Sequence, residues 1–155
     1  MAKKAIVMGA TSGIGMEVAK LLAAKGWQVG IAGRRIERLQ ALILQGGIIC
    51  YQQIDVTSAE APSLLLELID KLGGMDLYFH SSGIGWQNNS LDIEKELKTV
   101  ETNGLGFTRM VDTAFNWFAT HHQNNSKARI ACITSIAGTK GLGAAPAYSA
   151  TKRFQ

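Results

Sequence analysis

Lys4-Ala5-Ile6-Val7-Met8-Gly9-Ala10-Thr11-Ser12-Gly13-Ile14-Gly15 is the stretch that decides the fold. Lys4–Met8 is a short, mostly apolar run that reads as a buried strand. The glycines after it follow G-x-x-x-G-x-G. They permit tight backbone angles and let main-chain N–H groups approach a ligand with no Cβ in the way. Val18, Leu21 and Leu22 then fall at helical spacing over residues 15–25, and Gly26 closes that stretch as a C-terminal cap. A strand that runs through a glycine turn into a helix aims unpaired N–H groups and a positive dipole end at one spot. That arrangement suits a pyrophosphate.

The same unit repeats downstream. Residues 28–32, 48–53, 76–80 and 129–134 read as further buried strands. Residues 35–44 and 64–72 read as helices, ending in Gly46-Gly47 and Gly73-Gly74. Thr57 and Glu60 suggest a capping box before the second of these, whereas Pro62 prefers a first helical turn, so two starts are open. The stretch from Leu91 to His121 holds one or two helices. Tandem βα units imply a parallel sheet with helices on both faces and right-handed crossovers. The expected fold is a doubly wound, Rossmann-like α/β domain spanning residues 1–155.

Composition agrees with a single globular domain. A chain of 155 residues buries roughly 68–70% of its unfolded surface. Apolar content of 46%, with 17 glycines and 2 prolines, excludes a disordered chain. The net charge of +4 comes from scattered lysines and arginines, so no nucleic-acid footprint is expected. No apolar run reaches membrane-spanning length, since Glu67 breaks Leu64-Leu65-Leu66. Lys3-Lys4 and the apolar run after it do not make a signal peptide, because the glycine turn leaves no room for one. Cys50 and Cys132 sit in strand-like runs and read as small core residues of a reducing cytoplasm. His121 and His122 lack Cys, Asp or Glu at ligand spacing, so no metal site is expected.

Near the end of the sequence, Tyr148 precedes Lys152 by four residues, and Ser135 lies thirteen before the tyrosine. Positions i and i+4 share a helix face, and Pro146 fits the first turn of such a helix. A phenol is a poor acid–base catalyst near neutrality unless a nearby positive charge stabilises its anion. Lys152 is placed to supply that charge. Ser135 ends the fifth strand, and open parallel sheets bind ligands beyond the carboxyl ends of their strands. The glycine turn, Asn103 and Tyr148-Ser149-Ala150-Thr151-Lys152, in this order, resemble the short-chain dehydrogenase/reductase family over the whole chain.

The resemblance implies the strand order 3-2-1-4-5, and a nicotinamide cofactor exchanging hydride with a small carbonyl or alcohol substrate. Tyr148 would be the general acid in reduction and the base in oxidation. Lys152 would lower its pKa and hold the cofactor ribose, and Ser135 would orient the substrate oxygen. Asn103 would support a water-linked proton path to the lysine. The cofactor would lie on Gly9, Thr11, Ser12, Gly13, Ile14 and Gly15, with Asp55 and Val56 at the adenine. Ser82 and Gly83 follow in His80-Ser81-Ser82-Gly83, where the family commonly has Asn-Asn-Ala-Gly.

At the end of the second strand, Gly33-Arg34-Arg35 replaces the acidic residue that would accept bonds from a free ribose 2′-hydroxyl. A guanidinium matches phosphate oxygens, and a cation at a helix N-terminus opposes the helix dipole. NADP(H) is therefore expected over NAD(H), with Arg34 the leading phosphate ligand and Arg35 beside it. Family members continue past the lysine into further strands and a substrate loop. The expectation is a C-terminally truncated domain lacking those strands, from a protein that forms homo-oligomers when whole. A non-catalytic NADP(H)-binding module is the alternative.

Overall fold

Five parallel strands form one sheet in the order β3-β2-β1-β4-β5. The computed structural model describes residues 2–122 and 127–155. The strands are β1 (Lys4–Met8), β2 (Gln28–Gly33), β3 (Ile48–Gln53), β4 (Leu77–His80) and β5 (Arg129–Cys132). Side chains alternate across a strand, and β1 shows it directly. Ile6 and Met8 enter one apolar cluster, and Val7 enters the other. The first cluster packs against α3 (Ala61–Leu72) and α5 (Phe107–His121), through Leu65, Leu68, Met110 and Phe118. The second packs against α1 (Gly13–Ala24) and α2 (Ile36–Ile43), through Ala19, Leu39 and Leu42. Burial on both faces explains why these strands carry continuous apolar runs.

The expected fold is thus the observed one, with adjusted boundaries. The fifth strand pairs only over Arg129–Cys132, not through residue 134, although the Ile133 amide still donates to the His80 carbonyl at 2.9 Å. The chain then leaves the sheet for a short 3-10 turn, Ile136–Gly138. Helix α3 settles its two candidate starts in favour of Pro62, which occupies the first turn. The Thr57 hydroxyl donates to Asp55 rather than capping the helix. No helix among the described residues is long and apolar enough to cross a membrane.

Between residues 91 and 121 the chain forms α4 (Ile93–Val100), a π-helical stretch Glu101–Gly106, and α5, in direct succession. Asn103, Gly104 and Gly106 are poor α-helix formers, yet the helix widens there instead of breaking. Such insertions commonly accompany functional sites.

The final helix, α6 (Pro146–Phe154), is fastened to these elements by a polar clamp. Glu96 of α4 accepts from the Ala147 amide at 3.0 Å and from Asn88 Nδ2 at 2.7 Å. Asn88 is buried, and its main-chain amide donates to the Ala144 carbonyl at 2.6 Å. A carboxylate at a helix N-terminus also satisfies the dipole. Glu96→Ala is expected to cost about 1–3 kcal/mol, the worth of leaving such donors without acceptors, and to speed amide exchange across α6. Glu96→Gln keeps an acceptor and most of the protection. Exchange rates in α6 unchanged by the alanine would contradict this role.

Candidate active site

The turn after β1 shows why its glycines are needed. Gly9 has a φ of 88°, and a Cβ there would stand 2.7 Å from the Ser82 amide nitrogen. The amides of Gly9 and Ala10 both donate to the Ala32 carbonyl, at 2.9 and 3.0 Å, which ties the turn to β2. The Ser81 hydroxyl donates to the Met8 carbonyl at 3.0 Å and ties it to β4. Serine in place of the family asparagine therefore supports the turn rather than distorting it. Ser12 is the extended residue before α1, and its side chain makes no cap bond, leaving the helix N-terminus open.

A cleft of about 170 Å³ lies over this turn. Gly9, Thr11, Ser12, Arg34, Arg35, Asp55, Val56, Ser82 and Gly83 are among the residues that line it. Gly13 and Gly15 lie outside the lining and shape the helix start, and Ile14 is exposed beside them. One Asp55 oxygen closes a local turn, accepting from the Thr57 amide at 3.0 Å and hydroxyl at 2.8 Å. Asp55 is thus both a turn residue and a cleft residue.

The two arginines behave differently. Arg35 folds back on the turn, its guanidinium donating to the Thr11 hydroxyl at 2.8 Å and to the Ser12 hydroxyl at 2.7 Å. Arg34 is held through its backbone, with Gln53 donating to its carbonyl at 2.8 Å. A third cation, Arg38, reaches the Thr11 carbonyl at 3.3 Å. Sequence reasoning passed over Arg38, although it stands one helical turn beyond Arg35 and therefore on the same face.

A second cleft of about 400 Å³ adjoins the first, and Ser81, Gly83 and Ile84 line both. Tyr148 and Lys152 stand on its α6 side, with Trp86 and Thr134 also in its wall. The Lys152 ammonium lies 5.7 Å from the centroid of the Tyr148 ring. Gly85 lies close against that ring, where a Cβ would overlap it. Burial pushes the Lys152 ammonium below its usual range, and the Cys132 thiol opposes the shift.

Asn103 is fully buried on the π-helical stretch, its amide bonded to both backbone groups of Ile84 at 2.9 and 2.7 Å. Ser135 is half-buried, and its oxygen accepts from the Ala137 amide at 3.1 Å. Its neighbours Ile133 and Thr134, but not Ser135 itself, line the second cleft. The structure therefore brings Tyr148, Lys152 and, through Ile84, Asn103 together, with Ser135 at the margin.

The signature of the short chain dehydrogenases matches residues 3–154. The chain belongs to this family. An uncharacterized oxidoreductase of Myxococcus xanthus is 33% identical over 98% of the chain and 61% of the relative's own length. A putative ketoacyl reductase of Streptomyces coelicolor is 31% identical over 96% of the chain and 59% of its own length. A crystal structure of actinorhodin polyketide ketoreductase with NADPH superposes with a TM-score of 0.87 at 27% identity. That match covers 98% of this chain and 60% of the other. This short-chain dehydrogenase thus spans about three fifths of the length of these relatives.

His80, the departure at the end of β4, is buried in the core of this family member. Its Nδ1 lies 2.9 Å from the Tyr78 hydroxyl, its ring meets Phe107 edge-on, and Nε2 has no hydrogen-bond partner among the described residues. Burial lowers its pKa to about 4, with Lys152 adding to the effect and the Ser82 backbone opposing it. Unfolded histidine titrates near the ordinary value of about 6.5. As pH falls through that window, the unfolded chain binds the proton first. The stability due to neutral His80 is therefore complete above about pH 6.5 and lost progressively toward pH 4. Between pH 7 and 4 the wild type should lose about 3 kcal/mol more than His80→Asn in urea titrations. Parallel pH dependences for the two proteins would refute the assignment.

Proposed function

We propose that this short-chain dehydrogenase is an NADP(H)-dependent oxidoreductase that interconverts a carbonyl and an alcohol. The observation that carries the reading is the ammonium of Lys152 lying 5.7 Å from the Tyr148 ring, in a cleft continuous with the glycine turn. The chain's residues fit a dinucleotide. The space a Cβ at Gly9 or Gly83 would fill is kept open, and the open N-terminus of α1 with the Thr11 and Ser12 hydroxyls suits a pyrophosphate. Asp55 and Val56 take the adenine end. When bound, the nicotinamide supplies or accepts the hydride.

Tyr148 then gives its phenolic proton to the carbonyl oxygen during reduction and takes it back during oxidation. The positive charge of Lys152 stabilises the phenolate and attracts ribose hydroxyls. Ser135, whose oxygen already accepts from Ala137, keeps its O–H to donate to the substrate oxygen. Asn103 holds Ile84 at the seam of the two clefts. Relatives named ketoacyl reductase support the carbonyl class. Tyr148→Phe should lower carbonyl reduction by about 10²–10⁴-fold, the usual worth of a general acid, while leaving NADPH affinity intact. A phenylalanine variant with normal turnover would remove the reading.

Preference for the phosphorylated cofactor rests on Arg34, Arg35 and Arg38 around a site with no acidic residue at Gly33. Arg35, already turned onto Thr11 and Ser12, takes precedence over Arg34 as the ligand of the 2′-phosphate. Arg35→Ala should weaken NADPH binding by roughly tenfold, the loss of one charge-assisted contact, and leave NADH binding nearly unchanged. Equal losses for both cofactors would defeat the assignment.

The position of Ser135 outside the second cleft's lining favours one other reading, a dinucleotide-binding module without turnover. A broad carbonyl and alcohol screen with the whole protein separates the two. A cytoplasmic homo-oligomer fits best. Phe115 on α5 and Leu97 on α4 are exposed apolar residues suited to a copy of the same chain, whereas Phe118 is committed to the core.

A further inference from the structure

Behind the cleft, the Lys152 ammonium is gripped by two neutral oxygens. Nζ donates to the Ile133 carbonyl at 3.0 Å and to Oε1 of Gln155 at 2.8 Å. An ammonium has three donors, so these bonds leave one for the cleft. Gly83 keeps that side open, since a Cβ there would stand 3.5 Å from Nζ. The other end of the same amide, Nε2 of Gln155, donates to the Asn103 main-chain carbonyl at 2.9 Å.

The two bonds fix the amide's orientation. Its oxygen must face the cation and its NH₂ the carbonyl, because an ammonium cannot accept and a carbonyl cannot donate. Gln155 lies three residues after Lys152 and therefore on the same helix face. Its own amide donates to the Thr151 carbonyl at 3.0 Å, which makes Gln155 the C-cap of α6. The Asn103 side chain is committed elsewhere, to Ile84 and to the Thr151 hydroxyl.

We propose that Gln155 is a positioning residue for Lys152, its side-chain amide tying the ammonium to the Asn103 carbonyl and so fixing where the charge stands relative to Tyr148. Its meaning for catalysis rests on the oxidoreductase reading above; the tie itself does not. The titratable groups facing Lys152 are Tyr148 on α6, His80 on β4 and Cys132 on β5. Among the described residues none of these groups is a carboxylate. Glu96, which α4 turns toward α6, is bonded to Ala147 and Asn88, and Glu101 and Arg153 are exposed. A buried cation that no side-chain carboxylate faces among the described residues depends on acceptor oxygens to stay charged. The family resemblance implies that Asn103 supports a water-linked proton path to this lysine, and the Gln155 amide bridges Lys152 and Asn103 directly. Water can accept a proton and release another, whereas an amide near neutrality only holds its two partners.

The test is the titration of Lys152, followed by NMR at its ε-carbon in the full natural polypeptide, for wild type, Gln155→Met and Gln155→Glu. Methionine fills similar space with no amide oxygen. It should raise the acid dissociation constant of the ammonium roughly tenfold, as expected for losing one hydrogen bond to a charge. Glutamate keeps the acceptor facing Lys152, adds a charge and gives up the bond to Asn103, so Lys152 should titrate at or above the wild-type pH. A methionine variant within twofold of wild type, or a glutamate variant falling as far as methionine, would overturn the proposal. Because the readout is a titration and not turnover, a protein inactive toward every carbonyl would defeat the proposed activity without altering this result. In an active protein, Gln155→Met should also shift the acidic limb of alcohol oxidation to higher pH, with the KM for the cofactor little changed.

Discussion

Met8 pairs with Ala32 across one edge of β1 and with His80 across the other, and this shared register sets the level at which three strands end. From there the amides of Gly9 and Ala10 reach the Ala32 carbonyl, and the Ser81 amide reaches the Met8 carbonyl. The floor of the cleft is therefore stitched from three chain segments far apart in sequence. A slip of one residue in β1 would move Ile6 and Met8 into the space now filled by Val7 and reverse both apolar clusters. Burial on both faces makes that slip costly, so the placement of the turn follows from the packing of the core.

The other half of the site does not hang on the sheet in the same way. Helix α6 is joined to the rest by Glu96 at its first turn, by Asn103 and Thr151 midway, and by Ile133 and Gln155 at Lys152. Gly138 of the 3-10 turn lies directly on the Lys152 backbone, where a Cβ would approach to 2.7 Å. Polar contacts locate this helix and apolar contacts support it. Directional bonds fix a side chain's position more narrowly than burial does, which matters where one ammonium must face one phenol.

Most of the fold could be read from the sequence because its signals are local. Apolar runs, helical spacing and terminal glycines each depend on a few neighbouring residues, and they gave the order of strands and helices with small errors at the ends. The residue types of the site were also visible, since Tyr148, Lys152 and the glycine turn carry their own spacing. What escaped were pairings across the chain. Arg38 looks like any solvated arginine until Thr11 is placed beside it, and the fold of Arg35 onto Thr11 likewise depends on a side-chain direction that no local pattern carries. Asn88 and Glu96 carry no local sign of a partnership with Ala144 and Ala147. The widened helical turn at Asn103 could be suspected from its glycines, but a break would have looked the same.

The contacts of Arg35 bear on how an anion is welcomed at the glycine turn. Its guanidinium already has the Thr11 and Ser12 hydroxyls as partners, so under the proposed NADP(H) reading an arriving phosphate would enter by exchange and not by simple addition. Each new bond is gained against one given up, and the net favourable energy is smaller than the count of final contacts suggests. In return, the cation is already held over the turn, and little side-chain freedom would remain to be lost on binding. Under that reading, selectivity for the anion would be a contest between two hydroxyls and a charge, which the charge would win by electrostatics and a neutral hydroxyl ligand would not.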